Sequence, residues 1–120
     1  MSAAWKRWIV LASIIFAAAP AIAQEKKTII VDGSLWMSST SEQRRAFLVG
    51  VGNMIATEMA YAEKNGRERQ TASALIKDAV SALTLPEIET RITRWYESNP
   101  GQLTMPVMGV VWRQMVKQGQ

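Results

Sequence analysis

Residues 41–64 read SEQRRAFLVGVGNMIATEMAYAEK. Within this stretch Phe47, Leu48, Val51, Met54, Ile55, Met59 and Ala62 recur at three- and four-residue steps. That period lays one apolar stripe along a helix, because an α-helix turns once in about 3.6 residues. The chain also writes the ends of the element. Ser38-Ser39-Thr40-Ser41 offers several N-caps, and Thr40-x-x-Gln43 has the spacing of a capping box. Asn65-Gly66 is a stop, since glycine readily adopts the left-handed conformation after a last turn. A long helix over 41–64 follows, with Glu63 and Arg67 placed to pair across its end.

Further along, a second helix is expected over 69–83. Ala72, Leu75, Ile76, Ala79, Val80 and Leu83 line its face, with Lys77 and Asp78 opposite. The short connection makes it antiparallel to the first. Thr84-x-x-Glu87, with Pro86 in the first turn, opens a third helix over 85–98. Its inner stripe is Leu85, Ile88, Ile92 and Trp95, which puts Tyr96 one position round, at the rim. Asn99-Pro100-Gly101 ends it sharply. Thr104 is read as the cap of a fourth helix running to 117, with Pro106 early in it. Val107, Val110, Val111, Trp112 and Met115 would face inward. The expected fold is all-α: a compact bundle of about four amphipathic helices with a short extended N-terminal arm.

That arm spans 24–40, and the helical domain 41–120. After the polar lead-in Gln24–Lys27, the β-branched run Thr28-Ile29-Ile30-Val31 stops at the turn pair Asp32-Gly33. Ser34-Leu35-Trp36-Met37 is a second brief apolar stretch. An isolated hairpin is marginal, so the arm is expected to lie extended over the helices with Trp36 plugging the core.

Residues 1–23 have the layout of a cleavable signal peptide. Lys6 and Arg7 precede an apolar run over Trp8–Ala19, and Pro20 precedes Ala21-Ile22-Ala23. The small residues Ala21 and Ala23 suit signal peptidase, so cleavage is expected between Ala23 and Gln24. The apolar stretch falls short of the ~20 residues a membrane span needs. The expected address is therefore the periplasm, without a stable membrane anchor after cleavage.

Composition then excludes several classes. The full chain carries 14 basic and 10 acidic side chains, and losing Lys6 and Arg7 lowers the net charge to +2. A weakly charged domain with interspersed signs has no electrostatic footprint for nucleic acid. Cys and His are both absent, which removes thiol and Ser–His catalysis, disulfides and most zinc sites. Asp32-Gly33 lacks the companions of a calcium loop. Glu87 and Glu89 lie two apart on a helix and diverge, so they form no catalytic pair. No cofactor, no metal and no enzymatic activity are expected.

Gly50-Val51-Gly52 lacks the third glycine of a dinucleotide fingerprint, because Ile55 stands there. Close approach of another helix or of Trp36 is the expected use of these glycines, and the floor of a ligand groove is the alternative. On the same helix Asn53, Thr57 and Tyr61 form a polar stripe, with Glu58 adjacent. These four and Tyr96 are the candidate partner-binding residues. Arg91, Arg94 and Arg113 add a basic edge near the tight turn.

The pattern Gly33-x-x-Trp36, Phe47-Leu48-Val49-Gly50, Trp95-Tyr96-x-x-Asn99-Pro100 and Pro106-Val107 resembles small exported all-helical bacterial proteins. Within that class it is similar to the Rap/Tai-like type VI secretion amidase immunity family. The resemblance implies a periplasmic helical protein that binds and blocks a cell-wall-degrading toxin, often as a homodimer. Members commonly carry cysteines, which this chain lacks, and no inhibitory residue is carried over. The leading expectation is a non-enzymatic binding protein whose partner is another periplasmic protein. An envelope-stress chaperone is the alternative, because six methionines after residue 23 can make an adaptable apolar surface. An envelope enzyme is a third.

Overall fold

Asp32 starts the first ordered element of a computed structural model that describes residues 28–66 and 71–119. The expected leader, its cleavage point at Ala23 and Gln24, the lead-in and Arg67 lie outside the described residues. The Asp32 carboxylate accepts from the Leu35 N–H at 3.0 Å and caps helix α1 (Gly33–Ser38). Among the described residues of the arm, 28–31 carry no helix, and the expected extended continuation through 40 is corrected to a short helix. Its cause is that cap, together with Trp36, which inserts fully and is 1% exposed.

Helix α2 (Ser41–Lys64) starts at a complete capping box between Thr40 and Gln43 and stops before Gly66, which takes a φ of +63°. Helix α3 (Ala72–Val80) is shorter than the apolar pattern suggests, and Ser81 closes it. Its buried residue is Ala74, while Ala72 is exposed. Helix α4 (Leu85–Ser98) opens at the Thr84–Glu87 capping box. Glu87 is held below its usual carboxylate range by hydrogen bonds from the Thr84 backbone and side chain. Helix accounts for 78% of the described residues, and no strand occurs among them, so the class is all-α.

The C-terminal helix differs from expectation. Thr104 lies in a turn, and helix α5 (Val107–Val111) begins after Pro106 instead. Proline lacks an N–H and its φ suits a helix start, so the helix forms behind it. A π-turn over Trp112–Val116 follows, closed by the Lys117 N–H on the Trp112 carbonyl. The wider turn puts both Met115 and Val116 on the buried side. Trp112 itself is only partly buried.

Trp36, Leu48, Ile92, Tyr96, Val107, Val110, Val111 and Met115 form the core. Two backbone contacts fasten α1 to the C-terminal segment: Gly33 N–H to Met105 O at 3.2 Å and Ser34 N–H to Leu103 O at 3.1 Å. A third runs from Val107 N–H to Val31 O at 2.9 Å. Gly33 is obligatory there, because a Cβ would fall 2.6 Å from Tyr96 Cδ1 and 3.0 Å from Leu103 Cα. Trp36 meets Phe47 edge-to-face at 6.4 Å and donates its Nε1–H to Thr93 Oγ1 at 3.0 Å. Arg44 lies 5.6 Å over the Trp36 ring and donates Nε–H to the Trp36 carbonyl at 2.8 Å. One cation therefore both covers the indole and caps the end of α1.

Glu89 ties α4 to the start of α2. Its carboxylate accepts from Ser41 Oγ and from Arg45 Nε, both at 2.7 Å, although the residue is only 7% exposed. Burial, the largest influence, pushes Glu89 up, but the Ser41 hydroxyl, Arg45 and Arg44 outweigh it. Its pKa ends below the ordinary value. Glu87 is exposed and Glu89 buried, so the two carboxylates do diverge.

Candidate binding surface

Helix α2 outruns its cover. It has 24 residues against 9 in α3, and Leu48 is its buried residue. Beyond that point its apolar positions are shared between a partly covered side and open surface. Ile55 and Met59 are partly buried, whereas Val49, Met54 and Tyr61 are 50%, 67% and 58% exposed.

The five candidate contact residues separate into three places. Asn53, Thr57 and Tyr61 are all exposed on the outer side of α2. The Thr57 hydroxyl is spent on its own helix, donating to the Asn53 carbonyl at 2.9 Å. Glu58 turns the other way, partly buried toward α3, and accepts from Thr71 Oγ1 at 3.4 Å. Thr71 also caps α3 by accepting from the Ala74 N–H at 3.2 Å. Glu58 therefore braces the helix pair through the cap.

Tyr96 is the correction. It is 1% exposed, and its hydroxyl donates to the Met105 carbonyl at 2.6 Å. Burial, with Asp32 nearby, pushes its pKa up to about 12. The buried side of α4 is Glu89, Ile92 and Tyr96, one position round from the expected stripe, and Trp95 is the partly exposed neighbour. The cause is the hydroxyl: at this position it reaches the Met105 carbonyl, which has a second lone pair beside the one that accepts from the Gly33 N–H. Tyr96 is a core residue and leaves the contact set.

Between α2 and α3 runs an open groove of about 830 Å³. Gly52, Ile55, Ala56 and Met59 supply one wall, Ala74 and Val80 the other, with Glu63, Lys77 and Asp78 around them. A Cβ on Gly50 or Gly52 would meet nothing within 4 Å. The expected packing use of these glycines is therefore corrected: they face away from the core. Gly52 lines the groove instead, and Gly33 is the glycine that packs. The sequence reading assigned Ile55 and Met59 to the core and missed the α3 wall. No single local pattern locates the groove, because its two walls come from separate helices.

Among the described residues no group of three or more Asp, Glu, His or Cys could hold a metal ion. None of the described helices is long and apolar enough to cross a membrane. What the surface offers is apolar area, small residues that admit close approach, and a few charged groups at the edges. Compared with protein-family models, curated proteins and solved structures, the chain matches none.

Proposed function

We infer that this chain is an exported, non-enzymatic binding protein that engages a periplasmic protein through the α2–α3 groove. The observation that carries this reading is the open, mostly apolar groove between α2 and α3. The N-terminal pattern of residues 1–23 supports export. The absence of Cys and His supports binding over catalysis. The resemblance to amidase immunity proteins narrows the partner to a cell-wall-degrading toxin. In that reading the partner lays an apolar helix or loop into the groove, and affinity comes from a few desolvated side chains.

The test is a pull-down from native periplasmic extract using the exported product of the full chain. One stoichiometric, salt-resistant partner, lost in Met59→Lys and Ala56→Lys variants that keep their helical signal, supports the reading. A partner retained by both variants overturns the groove as its site. Broad capture of clients that grows at acid pH points to the chaperone alternative, for which Met54 and Met59 provide the adaptable surface.

A further inference from the structure

Ile29, 83% exposed, is the most open large apolar side chain among the described residues, and its neighbour Ile30 is 61% exposed. Both stand just before the point where the chain is fastened. Val31 O accepts from Val107 N–H at 2.9 Å, and Asp32 forms an antiparallel bridge with Pro106. Pro106 has no N–H to extend that pairing, and α5 starts immediately after it. In sequence the two isoleucines follow Lys26 and Lys27, two cations against the single acid Glu25. The next carboxylate, Asp32, is engaged in capping α1 through the Leu35 N–H. Cations followed closely by large apolar residues suit an anionic lipid surface: ammonium groups meet phosphates while the apolar side chains enter the acyl boundary. Neighbouring side chains diverge in any regular backbone, so a flat protein face that covered Ile29 would leave Ile30 in water. A lipid surface closes around the segment and covers both.

We propose that the segment Lys26–Ile30 is a reversible contact with the surface of an anionic phospholipid bilayer. Lys26 and Lys27 supply the charge attraction, and Ile29 and Ile30 the apolar insertion. So short a segment holds a domain weakly, and the contact concentrates the protein at the membrane without anchoring it. None of these residues lines the α2–α3 groove, so this contact and the proposed partner contact stand or fall separately.

Co-sedimentation of the exported product of the full chain with vesicles tests it. Vesicles of equal parts phosphatidylglycerol and phosphatidylcholine are set against phosphatidylcholine alone. The expected result is binding to the anionic vesicles that weakens as salt is raised, and little to the neutral ones. Lys26→Gln with Lys27→Gln lowers the partition coefficient roughly tenfold, because each lysine contributes near an anionic surface. Ile29→Ser with Ile30→Ser also lowers it roughly tenfold, by removing the apolar insertion. Its unfolding midpoint stays unchanged, since both side chains are exposed. Val49→Ser, at a half-exposed position on α2, leaves binding as it was, and a comparable loss there overturns the segment as the seat of the contact. The proposal is also overturned by absence of binding to anionic vesicles, by equal binding to neutral ones, or by binding that survives loss of both isoleucines. If the isoleucine variant loses a captured protein while the wild type binds no vesicles, the segment is a protein contact and the lipid reading falls.

Discussion

One added methyl group tests the tightest point of the molecule. Gly33→Ala places carbon against the Tyr96 ring and the Leu103 backbone, and backbone cannot step aside as a flexible side-chain end can. The expected cost is about 2–3 kcal/mol, read by urea unfolding. Tyr96→Phe keeps the ring and removes only the 2.6 Å bond to Met105, so it should cost about 1 kcal/mol. The same hydroxyl sets an alkaline limit. Its folded pKa is raised, so its contribution is complete below the unfolded value of 10.0 and is lost as pH rises through about 12. Stability measured across that window should fall in the wild type and stay flatter in Tyr96→Phe. At this scale the sequence was only half legible. Trp36 announced itself as the largest residue of a brief apolar stretch outside the long helices, and it is buried. Tyr96 and Trp95 are adjacent and similar in hydropathy, and only the distant Met105 carbonyl decides which of them turns inward.

Between elements, the decisive tie is electrostatic. Glu89 holds Ser41 and Arg45 at the start of α2, and its pKa is depressed relative to 4.5. That stability is therefore present above the unfolded value and is lost as pH falls through the lower folded one. Glu89→Gln should cost about 1–2 kcal/mol at neutral pH and flatten the acid limb of the unfolding curve. On the exposed side, Gly50 sits mid-helix with open space where a Cβ would be. Gly50→Ala should raise thermal stability by roughly 1 kcal/mol, since alanine is the better helix former and nothing obstructs it. Helix starts were readable because a capping box is a local contract between residues three apart, and both Thr40–Gln43 and Thr84–Glu87 form it. The start of α5 was misread at Thr104 because the hydroxyl is a good cap only where the chain ahead can coil. Pro106 postpones that coil.

In the whole molecule, α1 is a structural part of the domain, despite its short length. Trp36→Ala removes the indole, its bond to Thr93 and the surface that Arg44 covers. A loss of about 3–5 kcal/mol is expected, a large share of the roughly 5–15 kcal/mol that stabilises a domain of ordinary size. Circular dichroism during heating would show it as a lowered, broadened transition. The all-α class could be read because helical periodicity runs through most of the chain. The groove could not, since its two walls come from separate helices, α2 and α3, and their distance apart is a property of assembly. The candidate stripe of Asn53, Thr57 and Tyr61 was legible as a face, but Glu58 was not, because its direction is set by the cap of a neighbouring helix.

The joint at Met105 has a consequence for the order of events. One carbonyl accepts from Gly33 near the start of the folded part and from Tyr96 near its end. The core around it needs Trp36 and Val111 together. A ribosome delivers these residues in sequence, so the nascent chain can coil into separate helices, but this core cannot close until the segment through Val111 has emerged. Until that segment arrives, Trp36 has no core to enter.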